Sequence, residues 1–367
     1  MIPRAEESVT FIRYIFSKTG DPMSPVFPQK GHFMELFTPE YYSRFHCIAA
    51  ACEDSCCAQW EVDVDPAAAD YYRSLPGDLG DRLRAVLRDT PDGAAMTIEN
   101  GRCPMWRNDG LCRIHAELGH EALCHTCRTF PRLRHDYGDF AELGLEMSCP
   151  EAARLILSSN GSFTVTEAPA AEEPDYDAEA MAVLRQSREQ LLRFLADTRY
   201  TVPQSLTVLL LHGYAVQDWL DGGEEPSFDP DAILSEAESF PKSANFQLIF
   251  DFFLTLEILS PAWRTRLAAG PQPLSWSETI RAMARYMVSR YYLQTVSDYD
   301  LISRVKLAVI ACLLVAGLGG DPVLTSQQFS KEIENDPDNV EALLDGAYTS
   351  PALTDLQLLG LLLEEVS

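Results

Sequence analysis

Basic charge is scarce in this sequence. Lys and Arg number 29 against 55 Asp and Glu, which leaves a formal charge of −26 over 367 residues. That balance argues against a nucleic-acid partner, because phosphate binding wants clustered positive charge. It suits solubility and tolerates a lysine-bearing protein partner. Long apolar runs are also missing. The longest, Leu307 to Gly320, lies between Lys306 and Asp321 and is about four residues short of the usual lower limit for a membrane span. A buried helix is therefore expected there, with no membrane role. The opening MIPRAEESVTFIRYIFSKTG carries Glu6, Glu7 and Arg13, which breaks up the apolar core that a secretion signal needs. The expected location is cytoplasmic. No internal repeat is apparent, nor a strand–helix–strand alternation that would suggest a parallel sheet.

What the chain does have is cysteine. Nine of its ten cysteines lie between Cys47 and Cys149, and the tenth, Cys312, sits in the apolar run as a small core residue. A chain of this length buries a full core without covalent staples. In a reducing compartment, clustered thiols more often bind metal than form disulfides.

The organisation follows from these placements. An N-terminal extension is expected over 1–37, a cysteine-rich domain over 38–160, a Pro- and acid-rich linker over 161–178 and a helical domain over 179–367. FTPEYYSRF reads as a short helix with Thr38 as N-cap, and Asp65-Pro66 repeats that start signal before AAADYYRSL. A further helix is expected at 78–89. Asn100-Gly101 and Asp109-Gly110 are turn pairs that point to a small hairpin or a pair of knuckles. EAARLILSS reads as another helix. Beyond the linker, helical spacing recurs over roughly 178–196, 204–220, 243–259, 277–297, 301–316, 339–347 and 352–365. DGGEEPSFDPD reads as an exposed acidic loop. The expected fold class is mainly α: an irregular cysteine-rich metal-binding domain, with room for a small β-hairpin, followed by a helical domain.

Thiolates bind soft or borderline metals strongly, and coordination deprotonates them. Four of them close a tetrahedral zinc site or hold an iron–sulfur cubane. Cys52 and Cys56 are spaced to share one face of a helical turn. Cys56 and Cys57 are neighbours, so both serve only by reaching different metal atoms or by playing different roles. Cys124-His125-Thr126-Cys127 is a C-x-x-C loop. His115, His120, His125 and His135 stand nearby, and a mixed Cys/His site is open. Count and spacing leave zinc and iron–sulfur both open.

The strings YYSRFHCIAAACEDSCCAQWEVDVD, ENGRCPMWRNDGLCRIHAELG, TCRTFPR and SCPEAARLIL, in that order, resemble the flagellin lysine-N-methylase family. That family belongs to a wider group with a zinc- or iron-chelating cysteine domain. The resemblance covers about residues 38–158. It implies S-adenosylmethionine-dependent methylation of lysine side chains on flagellin, with a [4Fe–4S] cluster held by the cysteine region. The metal-ligand positions it implies are Cys47, Cys52, Cys56, Cys57, Cys103, Cys112, Cys127 and Cys149. Cys124 stands where family variation is expected and ranks below them. A zinc-stabilised binding module without catalytic activity is the alternative.

The chemistry makes its own demands. A lysine amine attacks a methyl carbon only after losing its proton, and its reference pKa near 10.4 keeps the free base scarce at neutral pH. Burial or a nearby base must supply it. The donor is a sulfonium cation, which favours an acidic or aromatic lining. Glu53, Asp54, Trp60, Asp63, Tyr71 and Tyr72 are the candidates near the cysteines. Arg128, Pro131 and Arg132 are candidates to hold a carboxylate or pack beside the metal. AGLGGD follows a helical run and not a strand, so it reads as a helix cap and not a nucleotide loop. No methyl-donor motif emerges.

Overall fold

The computed structural model describes residues 33–91, 93–170 and 173–364. The expected N-terminal extension lies outside them except for 33–37. The chain divides into two compact units, each taken here by itself.

The first unit comprises Tyr42–Ala152 with 33–38 and 164–170. Its elements are β1 (Phe33–Pro39), β2 (Val62–Val64), α1 (Pro66–Ser74), α2 (Gly77–Val86), β3 (Leu87–Thr90), β4 (Gly93–Met96), α3 (Arg113–Leu118), α4 (His125–Thr129), β5 (Arg132–Asp136), β6 (Phe140–Leu145), α5 (Pro150–Leu157) and β7 (Phe163–Pro169). α5 and β7 also extend into the second unit. Two sheets result, one ordered β5-β6-β1-β7 and one ordered β2-β4-β3. β1 runs parallel to β6, with Glu35 opposite Phe140, so one parallel pair exists where none was expected. The short helix expected at FTPEYYSRF is instead the end of β1 followed by a 3-10 turn over Tyr42–Arg44. A single turn there is too short to hold α geometry without packing support. The helix expected at 78–89 stops at Val86. Leu87 turns extended (φ −79°, ψ 122°) and starts β3, which pairs Leu87 with Met96. Residues 163–169, taken as linker, form β7; the β-branched alternation of FTVT suits an extended strand.

Asp65 starts α1 as expected, its side chain accepting from Ala68 N with Pro66 in the first turn. The core of this unit gathers Val62, Val64, Tyr72, Leu83, Met96, Met105 and Ile114, together with Cys57, Cys103, Cys112 and Cys124.

The second unit holds Pro39–Tyr41, Ala153–Phe163 and 173–364. It contains α6 (Ala178–Leu195), α7 (Val202–Leu220), α8 (Pro230–Ala237), α9 (Gln247–Phe253), α10 (Pro261–Ala268), α11 (Glu278–Tyr291), α12 (Leu301–Leu318), α13 (Pro322–Phe329), α14 (Pro337–Thr349) and α15 (Asp355–Glu364). α12 is the axle: every residue in it is buried, and it packs on α7, α11 and α14. Among the described residues it is the one helix long and apolar enough to cross a membrane by composition, and it is wholly enclosed by its own unit. Cys312 lies at its centre, fully buried. AGLGGD is a helix end, with Gly319 and Gly320 at φ 67° and 78°.

α8, α10 and α13 were not expected. Each opens with an Asp or Ser N-cap followed directly by Pro: Asp229-Pro230, Ser260-Pro261 and Asp321-Pro322. DGGEEPSFDPD thus ends by launching α8. A five-residue π-helical segment, Ser330–Glu334, follows α13 and is buried throughout.

Several buried polar groups in this unit are paired, which offsets the cost of taking them out of water. Lys306 donates to Ala347 O at 2.7 Å and pairs with Asp355 at 2.6 Å. Tyr291 donates to Glu334 at 2.9 Å, and Arg290 lies 3.4 Å from the same carboxylate. Ser187 bridges His212 Nε2 (2.9 Å) and Tyr292 Oη (2.7 Å).

His212 generates a test. Burial holds its pKa down at about 4, below the ~6.5 of an unfolded histidine. Between those values the unfolded chain binds a proton that the folded chain refuses. Stability from this group is therefore complete above about 6.5 and is lost as pH falls toward 4, by a total on the order of 3 kcal/mol. Burial raises Glu332 to about 7, which acts with the opposite sign but is common to wild type and variant. Urea midpoints of wild type and His212→Gln, compared from pH 7 to 4.5, should converge as pH falls. A constant difference would show that His212 does not titrate in this way.

Candidate metal centre

Local backbone choices bring the thiols together. Ala49, at φ 51°, directs its N–H at Cys47 Sγ (3.4 Å). The chain then closes a 3-10 turn, with Cys52 N donating to Ala49 O at 3.0 Å. Cys52 Sγ donates to Asp54 O at 3.3 Å. The stretch from Cys52 to Cys57 is bend and turn, not helix, so the expected helical face shared by Cys52 and Cys56 does not form. Amide groups satisfied by Ser55 and by the neighbouring knuckle explain the difference: Cys57 N donates to Ser55 Oγ at 3.2 Å.

The knuckle pair read from sequence is present. Glu99 and Arg102 exchange hydrogen bonds of 2.9 and 3.0 Å around Asn100 and Gly101, at φ 52° and 73°. Positive φ at both central positions is what an Asn-Gly turn supplies. This turn delivers Cys103, whose N–H donates to Cys57 O at 2.8 Å. The second turn, with Gly110 at φ 80°, folds Cys112 back so that Trp106 and Cys112 bridge.

Cys112, Cys124 and Cys149 each stand immediately before a helix (α3, α4 and α5). Burial raises the thiols of Cys112 and Cys149, and amide groups of the following turn offset part of that rise (Ile114 and His115 for Cys112, Glu151 and Ala152 for Cys149), whereas Cys124 is lowered, first by the Cys127 thiol and then by the Cys127 amide. Helix N-termini favour the thiolate in this manner. Asp65 ties two elements together, because its second carboxylate oxygen accepts from His125 N at 2.8 Å. Burial would raise its carboxyl, but the backbone N–H groups of His125 and Ala68 hold it below the usual range.

The thiols crowd one another. Cys56 donates to Cys57, which drops Cys57 to about 7 and pushes Cys56 far up. Cys127 does the same for Cys124, lowering Cys124 while its own pKa rises well above normal. Burial, helped by neighbouring thiols, lifts Cys103 to about 12 and Cys149 to about 11. All ten cysteines are free. Among the described residues, no group of three or more His, Cys, Asp or Glu side chains is placed to hold a metal ion. The gathered donors are thiols, the donor type that soft and borderline metals take; burial and neighbouring thiols raise Cys103 and Cys149, while hydrogen bonding divides the pairs Cys56–Cys57 and Cys124–Cys127 into one raised and one lowered member.

All eight cysteines expected as ligands lie in the first unit. Cys124, ranked below them, is buried in the same core as Cys57, Cys103 and Cys112; its placement before α4 was the signal that could have found it. The histidines are less engaged. His115 and His120 stack edge-on at 5.8 Å and are exposed, while His125 contributes its backbone N–H. Of the acidic and aromatic candidates, Tyr72 is a core residue donating to Ala122 O, Tyr71 is exposed, and Asp63 faces out of β2. Trp60 Nε1 donates to Cys56 O at 3.0 Å, and its ring meets Phe130 edge-on. Glu53 and Asp54 act electrostatically on Cys52. In TCRTFPR the Phe130-Pro131 peptide is cis, Arg132 lies over the Phe45 ring at 5.1 Å, and Arg128 lies 3.9 Å from Glu121.

Comparison with known proteins gives distant relatives. The chain is 29% identical over 136 residues to a Lysine-N-methylase of Salmonella typhimurium, covering 35% of this chain and 34% of that protein. The Lysine-N-methylase of Salmonella choleraesuis matches to the same extent. The Flagellar biosynthetic protein FliU of Salmonella muenchen is 28% identical over 136 residues, 80% of its length. The matched segment thus spans about a third of the methylases. No family model and no solved structure matches.

The Asp65 tie is testable by local exchange. Asp65→Ala removes the α1 cap and the acceptor for His125 N, at a cost of about 2 kcal/mol. Amide exchange in α1 and across Cys124–Arg128 should speed up together. Faster exchange in α1 alone would show that the carboxylate does not hold the second segment.

Proposed function

We propose that this chain is an S-adenosylmethionine-dependent protein-lysine N-methyltransferase acting on flagellin in the cytoplasm, with a [4Fe–4S] centre held by the thiol-rich unit. Similarity to two proteins named Lysine-N-methylase, and to a flagellar biosynthetic protein, supports the activity and its class of substrate. Nine free thiols gathered in one unit support the metal centre, and this gathering is the single observation that carries the reading. A [4Fe–4S] group would supply a compact, thiolate-bound charge centre with redox capacity.

The reaction moves a methyl group from a sulfonium to a neutral amine. The carbon–sulfur bond breaks as the carbon–nitrogen bond forms, the donor leaves as a neutral thioether, and the amine sheds its proton to a base. Both reactants arrive with positive charge in their resting forms. The formal charge of −26 favours their approach, and Glu53 and Asp54 place acidic groups next to Cys52.

Zinc is the second candidate for the metal, favoured by the participation of Cys103 and Cys124 in an apolar core, as structural zinc sites organise small folds. In that case the unit would be a zinc-stabilised binding module without catalysis.

Purified flagellin incubated with the metal-loaded protein and S-adenosylmethionine, then mapped by peptide mass spectrometry, tests the activity. Lysine peptides should gain single-methyl increments that depend on the donor. A metal-replete protein that binds flagellin and leaves every lysine unmodified would assign the chain to the binding-module reading. Anaerobic preparation should give a brown protein containing iron and acid-labile sulfide; a colourless one with stoichiometric zinc would replace the iron–sulfur reading.

A further inference from the structure

One face of the second unit gathers exposed aromatic and acidic side chains. Tyr348, at the end of α14, is 62% exposed; Leu356, at the start of α15, is 53% exposed; Tyr299, just before α12, is 41% exposed. Hydrogen bonds tie their supports together. Tyr348 Oη donates to Asp300 Oδ1 at 2.5 Å, and Asp300 caps α12. Lys306 Nζ lies 6.0 Å from the centre of the Tyr348 ring and 2.6 Å from Asp355, the neighbour of Leu356. On α7, Tyr214 donates to the same Asp355 at 2.6 Å. Gln217, one turn further on, donates to Tyr299 O at 3.0 Å and to Asp221 at 3.2 Å. The face thus runs from the end of α7, through the loop 298–300, to the junction of α14 and α15.

The charge this face presents has one sign. Asp221 and Asp345 are exposed, and the side chains of Asp298 and Asp355 are about half exposed. Asp345 stands one turn before Tyr348 on the same side of α14. No Lys or Arg occurs in 200–241 or in 332–367. The two cations beneath the face, Arg304 and Lys306, are buried and already paired with Asp298 and Asp355.

We propose that this face docks a lysine-bearing segment of a partner protein. An exposed aromatic and aliphatic patch rimmed by polar groups marks a contact surface, and tyrosine is the residue type that such surfaces favour. Charge complementarity selects the occupant. The acids repel nucleic acid and anionic membranes and attract ammonium groups. Lys306 displays the chemistry within the fold: its ammonium is held by a carboxylate, a backbone carbonyl and the Tyr348 ring. The exposed part of that ring, with Asp345 beside it, offers the same combination to a second ammonium from outside. Tyr299 and Leu356 add apolar contact for the chain that carries it. Identifying this segment with the substrate of methyl transfer rests on the function proposed above; the docking face does not.

The full chain is titrated with a synthetic peptide of alternating lysine and alanine, and with the same peptide acetylated at every lysine, at low and at high salt. Wild type should bind the lysine peptide on the order of 10-fold more tightly than the acetylated one, and less tightly as salt rises. Tyr348→Ala and Asp345→Asn should each weaken lysine-peptide binding severalfold, whereas Tyr348→Phe, which keeps the ring, should retain it. Urea midpoints verify folding, and the exposed Asp345→Asn carries the test should Tyr348→Ala unfold. Equal binding of the two peptides by wild type, or binding that neither substitution weakens, would overturn the proposal. Dimerisation of wild type that Tyr348→Ala abolishes, with no peptide binding, would give the face to a second copy and overturn it as well. Flagellin separates this inference from the methylase reading. Its KM for methylation should rise in Tyr348→Ala with kcat little changed. A wild type that binds the lysine peptide through Tyr348 and leaves flagellin unmodified would sink the methylase reading and keep the docking face.

Discussion

The thiol-rich unit is governed by the cost of packing many sulfur acids together. A thiolate beside another thiolate, partly out of water, is raised in energy by both effects. Protein alone meets this cost by sharing protons, as in the pairs Cys56–Cys57 and Cys124–Cys127, where one thiol becomes a strong donor and the other a readily formed thiolate. A metal cation meets it more fully, by replacing several protons with one multivalent charge. Turns with left-handed backbone at Ala49, Asn100, Gly101 and Gly110 and helix starts after Cys112, Cys124 and Cys149 set the backbone around these thiols.

The helical unit solves a different problem. Few of its charges are buried, and several of those are matched by partners. Lys306, Arg290 and Glu334 are each enclosed and each paired, and His212 is kept neutral between Ser187 and the apolar wall. Removing one partner from such a pair strands the other, so these contacts restrict how the helices around α12 can pack. The two units thus use polar groups in opposite ways. One concentrates reactive acids at partly open turns, and the other closes polar groups into a helical core.

These contrasting roles separate a unit rich in reactive thiols from a unit built as a helical core. The distant methylases share a segment of 136 residues with this chain, a third of their own length.

The sequence by itself determined the features that are local. Helical periodicity located α6, α7, α11, α12, α14 and α15, and Asp65-Pro66 marked the start of α1. Asn100-Gly101 marked a turn because only certain residues accept positive φ cheaply. The same cap-then-proline signal was present at Asp229-Pro230, Ser260-Pro261 and Asp321-Pro322 and would have located α8, α10 and α13. Tertiary structure alone decided the rest. The parallel pairing of β1 with β6 joins residues about a hundred apart, and neither strand is long enough to show its partner in its own pattern. The place of Cys124 among Cys57, Cys103 and Cys112 likewise depends on three distant turns closing on one core. Residue type says that a thiol can bind metal; which thiols stand together is set by long-range packing, and that information resides in no single stretch of the chain.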